Sequence, residues 1–181
     1  VCTWLLEQLI KTARDLGPTQ VWADRYMSTW LWDPEGIDIK TFLANDDIRT
    51  TYHLQRWKEE GPTSLKELCA RFLNRNLLKA ISLNSLTQIQ QLEALSVARQ
   101  LAERRGNDPS LCCGLRKQQL HGYQPYRGGL RLWDGIKLIA IEKASPLIAS
   151  LIKPGASSWL IYPREIDTEL KQEISDLEKK A

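Results

Sequence analysis

Apolar residues fall on helical spacing from the first positions of the chain: Leu5, Leu6, Leu9, Ile10, Ala13 and Leu16 recur at three- and four-residue steps. That period predicts a helix over about Val1 to Leu16, stopped by Gly17-Pro18. A second helix is predicted from about Ile39 to Trp57, ending near Gly61-Pro62. Between them, Thr19 to Gly36 carries Trp22, Tyr26, Trp30 and Trp32 and ends in an Asp33-Pro34-Glu35-Gly36 turn. Ser64-Leu65-Lys66-Glu67 has the form of a capping box, in which side chains satisfy free amides at a helix start. Leu65, Leu68, Cys69, Phe72 and Leu73 continue from it as an apolar stripe. Ser85-Leu86-Thr87-Gln88 reads as another cap. Ile89, Leu92, Leu95, Ala98 and Leu101 then carry a helix to Arg104-Arg105, with Gly106 as its terminator.

The pattern changes after Asn107-Asp108-Pro109. Leu130 to Trp133 and Ile136 to Ile141 flank Asp134-Gly135, a strong hairpin signal because both turn residues tolerate positive φ. Leu111 to His121 and Ser158 to Tyr162 read as further strands, and Ile166, Leu170, Ile174 and Leu177 as a final amphipathic helix. The expected fold class is α+β. A mainly helical part over residues 1–106 precedes a mixed part over 107–181, with an antiparallel hairpin and a C-terminal helix.

Composition adds little: 43% hydrophobic and 26% charged residues are ordinary for a globular chain. The net charge of +3 suits anionic ligands without arguing for nucleic acid. Cys2, Cys69, Cys112 and Cys113 form no C-x-x-C pair, so reduced, buried thiols in a cytoplasmic protein are expected. No apolar run is long enough to span a membrane. The only Met is Met27 and the chain opens directly on a helix, so residues upstream are expected.

Candidate chemistry is sparse. His53 and His121 have no partner at metal-ligand spacing, and His53 is expected on a helix surface. Asn45-Asp46-Asp47 offers paired carboxylates, but caps and first-turn acids explain them more simply. Cys112-Cys113 is expected to be a buried strand pair. The tryptophans are expected to pack under a loop rather than stack on bases. Arg116, Lys117, Arg127 and Arg131 suit either phosphates or a solvated strand face.

Phe72-Leu73-Asn74-Arg75-Asn76-Leu77-Leu78-Lys79 is different. Arg75 and Lys79 stand four residues apart, which on a helix puts two like charges on one face. The pair repels unless an anion or acidic side chains lie between. Spacing alone favours a solvated helix end, where cations complement the dipole.

This segment resembles the R-N-L-(aromatic or Leu)-K motif of HD-domain phosphohydrolases of the deoxynucleoside triphosphate triphosphohydrolase type. The similarity continues in order through Val1 to Leu16, Phe42-Leu43-Ala44-Asn45-Asp46-Asp47, Gly122-Tyr123-Gln124-Pro125-Tyr126 and Ile161-Tyr162-Pro163-Arg164-Glu165-Ile166. The resemblance implies the C-terminal regulatory and assembly part of an enzyme that cleaves dNTPs to deoxynucleoside and triphosphate. The His and Asp residues that bind the divalent metal would lie upstream, so no catalytic residue and no metal ligand is assigned here. An isolated chain would then be inactive. By resemblance, Arg75, Asn76 and Lys79 are candidates for gripping the phosphates of an effector nucleotide. Leu78 stands where animal members carry Phe. The implied partners are the upstream HD part, a dNTP effector and further copies of the chain. Two other readings stand beside it: a non-enzymatic nucleic-acid- or nucleotide-binding module, and a purely structural part.

Overall fold

The computed structural model describes residues 1–120, 129–152 and 155–179. Its order is α1 (Cys2–Leu16), α2 (Arg25–Trp32), α3 (Ile39–Ala44), α4 (Asp47–Glu60), α5 (Thr63–Leu73), β1 (Lys79–Ser82), α6 (Gln88–Arg104), α7 (Pro109–Cys112) and β2 (Gly114–Leu120). Then come β3 (Arg131–Trp133), β4 (Leu138–Ala140), α8 (Ile141–Ala144), α9 (Pro146–Ile152), β5 (Gly155–Tyr162) and α10 (Asp167–Lys179). The class is α+β, as the sequence predicts.

Three expectations about the helices fail for local reasons. The helix predicted from Ile39 to Trp57 is two, because Asp46 leaves helical geometry to cap α4, accepting a hydrogen bond from the Arg49 amide. Asn45-Asp46-Asp47 is therefore capping chemistry. The aromatic stretch contains a helix of its own, α2, whose start is fixed by Asp24 accepting from the Tyr26 and Met27 amides. At Ser64 there is no capping box: α5 begins two residues earlier than that cap would place it, with Pro62 at the cap position and no side-chain cap. The box forms at α6 instead, where Thr87 and Gln90 satisfy each other's backbone amides. Ser85 is free of that duty and donates to Glu178 on α10.

The sheet has the order β1-β5-β2, all antiparallel. Lys79 stands opposite Tyr162, and Gly114 opposite Ile161, on the two edges of β5. Strand β1 was not legible in the sequence. Its four residues are half-buried on both faces, so no alternation marks them. The hairpin appears where predicted, but Ile141 leaves β4 to open α8. Asp134 accepts from the Ile136 and Lys137 amides, and Gly135 takes φ 99°, a value side chains resist.

One core runs through these elements. Leu5, Leu9 and Ala13 of α1, Leu65 and Leu68 of α5, Ala94 and Ala98 of α6, Leu160 and Ile161 of β5, and Leu170 and Ile174 of α10 are buried together. α5 packs on both α1 and α4, and α6 on α10. Gly114 permits the sheet to meet α1: a Cβ there would lie 2.8 Å from Trp4. Among the described residues, the hairpin with α8 and α9 contributes none to this core. Among the described residues no helix is long and apolar enough to cross a membrane.

Leu160→Ala is expected to lower unfolding free energy by about 2–5 kcal/mol in a denaturant titration. Leu43→Ala, on the exposed face of α3, is expected to change it by less than about 0.5 kcal/mol.

Candidate functional site

The site begins where α5 ends. Leu65, Leu68 and Cys69 bury one face of that helix, and Leu78, five residues past its last turn, must also reach the core. The chain therefore has to reverse between them. Asn74 ends the helix with its amide on the Ala70 carbonyl, and the Arg75 amide donates to the Phe72 carbonyl. Arg75 takes φ 55°, the sole positive value outside glycine among the described residues. A side chain in that left-handed region costs roughly 1–2 kcal/mol, and glycine is the usual occupant after a helix. The Arg75 side chain is exposed and makes no hydrogen bond or ion pair among the described residues.

Arg75 and Lys79 therefore do not share a helix face. The helix stops at Leu73, Arg75 and Asn76 lie in the turn, and Lys79 opens β1. Lys79 is also occupied. Its Nζ donates to Asp167 Oδ2 at 2.6 Å, while Tyr162 donates its hydroxyl to Asp167 Oδ1 at 2.7 Å and Lys171 to Oδ2 at 3.1 Å. Lys79 and Tyr162 face each other across β1 and β5, which brings both to the start of α10. The hydrogen bond from Lys79, followed by that from Tyr162, holds the Asp167 carboxyl well below the usual carboxylate range. Burial and the bond to Asp167 push the Tyr162 hydroxyl upward.

Beside the turn lies a polar depression of about 250 Å³, lined by Glu67, Arg71, Asn74, Asn76 and Asn107 among others. Asn76 is thus in the site, next to Arg75. Lys58, at the end of α4, donates to Asn74 Oδ1 at 3.3 Å and adds a third cation near the turn. Sequence reasoning passed over Arg71 and Lys58. Arg71 stands four residues before Arg75, the one signal that pointed to it.

The other candidates resolve as structure. His53 is fully buried, not on a helix surface, because its ring is the centre of an aromatic cluster. It stacks on Trp22 at 5.0 Å and meets Trp57 edge-on at 5.7 Å. Its Nε2 accepts from the Asp24 amide at 3.1 Å, so its Nδ1 donates to the Arg49 carbonyl at 2.8 Å. Arg56 covers the outer face of Trp22 at 3.8 Å. Trp32 donates to the Arg14 carbonyl and packs against the core with Trp30. Cys69, Cys112 and Cys113 are buried free thiols; Cys2 is exposed. Burial pushes the Cys69 thiol up to about 12. A hydrogen bond to Cys113, then burial, pushes Cys112 upward. Arg116 is held by Glu7 at 3.3 Å. His121, Gly122 to Tyr126 and Arg127 lie outside the described residues.

The resemblance places the ligands of its divalent metal upstream of this chain. Among the described residues no three His, Cys, Asp or Glu side chains cluster as metal ligands, and both His53 nitrogens are engaged.

No protein-family model matches the chain, and no curated protein does. Among solved structures it is similar to a phosphohydrolase from Bacteroides thetaiotaomicron, with a TM-score of 0.65 and 18% identity. The match covers 88% of this chain and 43% of that one, so the chain spans less than half of that relative's length. At this identity the likeness shows the fold, which is phosphohydrolase-like.

The Asp167 cluster makes a prediction about acid stability. Its carboxyl titrates lower folded than unfolded, so its contribution is present above about pH 4 and is lost as pH falls toward the folded value. Asp167→Asn is expected to flatten that acid limb in denaturant titrations run at a series of pH values.

Proposed function

We propose that this chain is the C-terminal regulatory and assembly portion of a metal-dependent HD-superfamily phosphohydrolase that cleaves dNTPs to deoxynucleoside and triphosphate. In this reading Arg75, Asn76 and Lys79 hold the phosphates of an effector nucleotide, and the metal chemistry belongs to an upstream HD part. The observation that carries it is Arg75: a charged side chain without a partner among the described residues, held in a strained turn beside a polar depression. A backbone that costs free energy at a charged residue points to use of that residue. The phosphohydrolase-like fold supports the same reading.

The three residues divide the work unequally. Arg75 is free to bind phosphate through two parallel N–H donors. Asn76 offers an amide at the rim. Lys79 must share its charge with Asp167, so it supplies field at the edge of the site rather than the first grip. Nucleotide would favour assembly only by binding the assembled form more tightly than the separate chains.

The test uses Arg75→Gly, because glycine suits the left-handed turn. Stability is expected to hold or rise by up to about 1 kcal/mol, while dNTP affinity of the full-length protein falls roughly tenfold or more. Unchanged nucleotide binding and unchanged nucleotide-stimulated activity in Arg75→Gly and Lys79→Gln would defeat the effector role.

A second reading, binding of single-stranded nucleic acid, is favoured by the hairpin. Trp133 is 65% exposed there, and Arg131, Lys137 and Lys143 surround a hollow of about 430 Å³ without an ion pair among the described residues. An oligonucleotide affinity falling with salt, with a slope shallower by about 2 when all three cations become Gln, would support it. Affinity indifferent to salt would remove it.

A further inference from the structure

The depression beside Arg75 has at its edge a guanidinium whose hydrogen bonds are poorly satisfied. Arg71 lies on the last turn of α5, with its side chain 15% exposed. Its Nη2 donates to Asn107 Oδ1 at 2.5 Å and lies 3.4 Å from Glu165 Oε1. Its Nη1 is out of contact with solvent and has no acceptor among the described residues. A buried N–H on a charged group without an acceptor is costly, and a guanidinium is shaped to satisfy two acceptors at once. Here two acceptors take up the two N–H groups of Nη2, while those of Nη1 have none among the described residues. The contact to Glu165 is at the long limit of an ion pair, and Glu165 is itself 41% exposed.

Glu165 does not act alone. Glu165, Asp167 and Glu169, two residues apart, place carboxylates on Arg71, Lys79 and Arg105 respectively. The first of those cations lines the depression. The segment itself stays in place, because Ile166, Leu170 and Ile174 are buried. What can exchange is the side-chain partner, not the helix. Of the three contacts, Arg71–Glu165 is the weakest by length and leaves a donor over.

We infer that Arg71 forms a phosphoryl-binding subsite with Asn74, Asn76 and Asn107, and that the Glu165 carboxylate occupies Arg71 until a nucleotide phosphate displaces it. The inference rests on the effector reading and adds to it a second grip and a built-in competitor. The depression, about 250 Å³, admits a phosphoryl group, and Arg75 lies in the chain between two of its lining residues, Asn74 and Asn76. Asparagine amides supply neutral donors around the anion. Glu67 is the one acidic residue of the lining, and its repulsion makes the Arg71 charge necessary rather than incidental.

The test measures inorganic tripolyphosphate and dGTP binding by calorimetry on the full-length protein, with thermal melting of each variant. Glu165→Gln is expected to tighten both ligands about threefold to fivefold, since the competitor loses its charge. Arg71→Gln is expected to weaken both about tenfold or more. Glu165→Gln guards against a folding artefact, because a merely structural ion pair predicts lower melting temperature and no gain in affinity; that result overturns the subsite. If Arg75→Gly weakens binding while Arg71→Gln and Glu165→Gln leave it unchanged, the subsite is wrong and the effector reading survives. If wild-type protein binds neither ligand, both fall.

Discussion

Strand β5 is hydrogen-bonded along both edges, and that constraint organises the rest. Its pairing with β1 ties the end of the helical run to the C-terminal segment; its pairing with β2 brings in the chain that follows α6. Leu160, Ile161 and Tyr162 are buried at its end, where α1, α6 and α10 converge. Once that register is set, Lys79 and Tyr162 must lie side by side, and Asp167 at the head of α10 finds two donors already aligned. The position of the C-terminal helix therefore follows from strand pairing, one carboxylate and the burial of Ile166, Leu170 and Ile174.

The same geometry fixes which cations are available. Lys79, Arg105 and Arg116 each have a carboxylate within the fold. Arg75 has none among the described residues, and Arg71 has one at long range. A count of positive charges treats all five alike. What distinguishes them is whether the fold has already neutralised each one, since a matched charge attracts an incoming phosphate far less than an unmatched one.

Much of the fold was legible because long amphipathic patterns are robust: α1, α5, α6 and α10 stand close to where periodicity puts them. The Asp134-Gly135 turn was equally clear. Short elements were not. Strand β1 has no alternation, and α2 was hidden by its tryptophans, whose burial depends on partners far along the chain. Of the site, Arg75 and Asn76 were legible as residue types but not as a left-handed turn, because helical spacing cannot see where Leu78 must go. His53 was misplaced for a related reason. A histidine in a helix rich in polar residues looks exposed, and only the folded packing supplies Trp22 and Trp57 around it.

That histidine has a consequence for local dynamics. The Asp24 amide sits in a connection before a short helix, where backbone hydrogens usually trade with solvent at the rate of loop fraying. Here it is donated into the Nε2 of a ring that is itself closed in by two indoles. To free it, the Trp22–His53 stack must separate. Its deuterium uptake thus reports the opening of α4 from the segment that precedes α2, giving a single loop hydrogen the protection of a core helix.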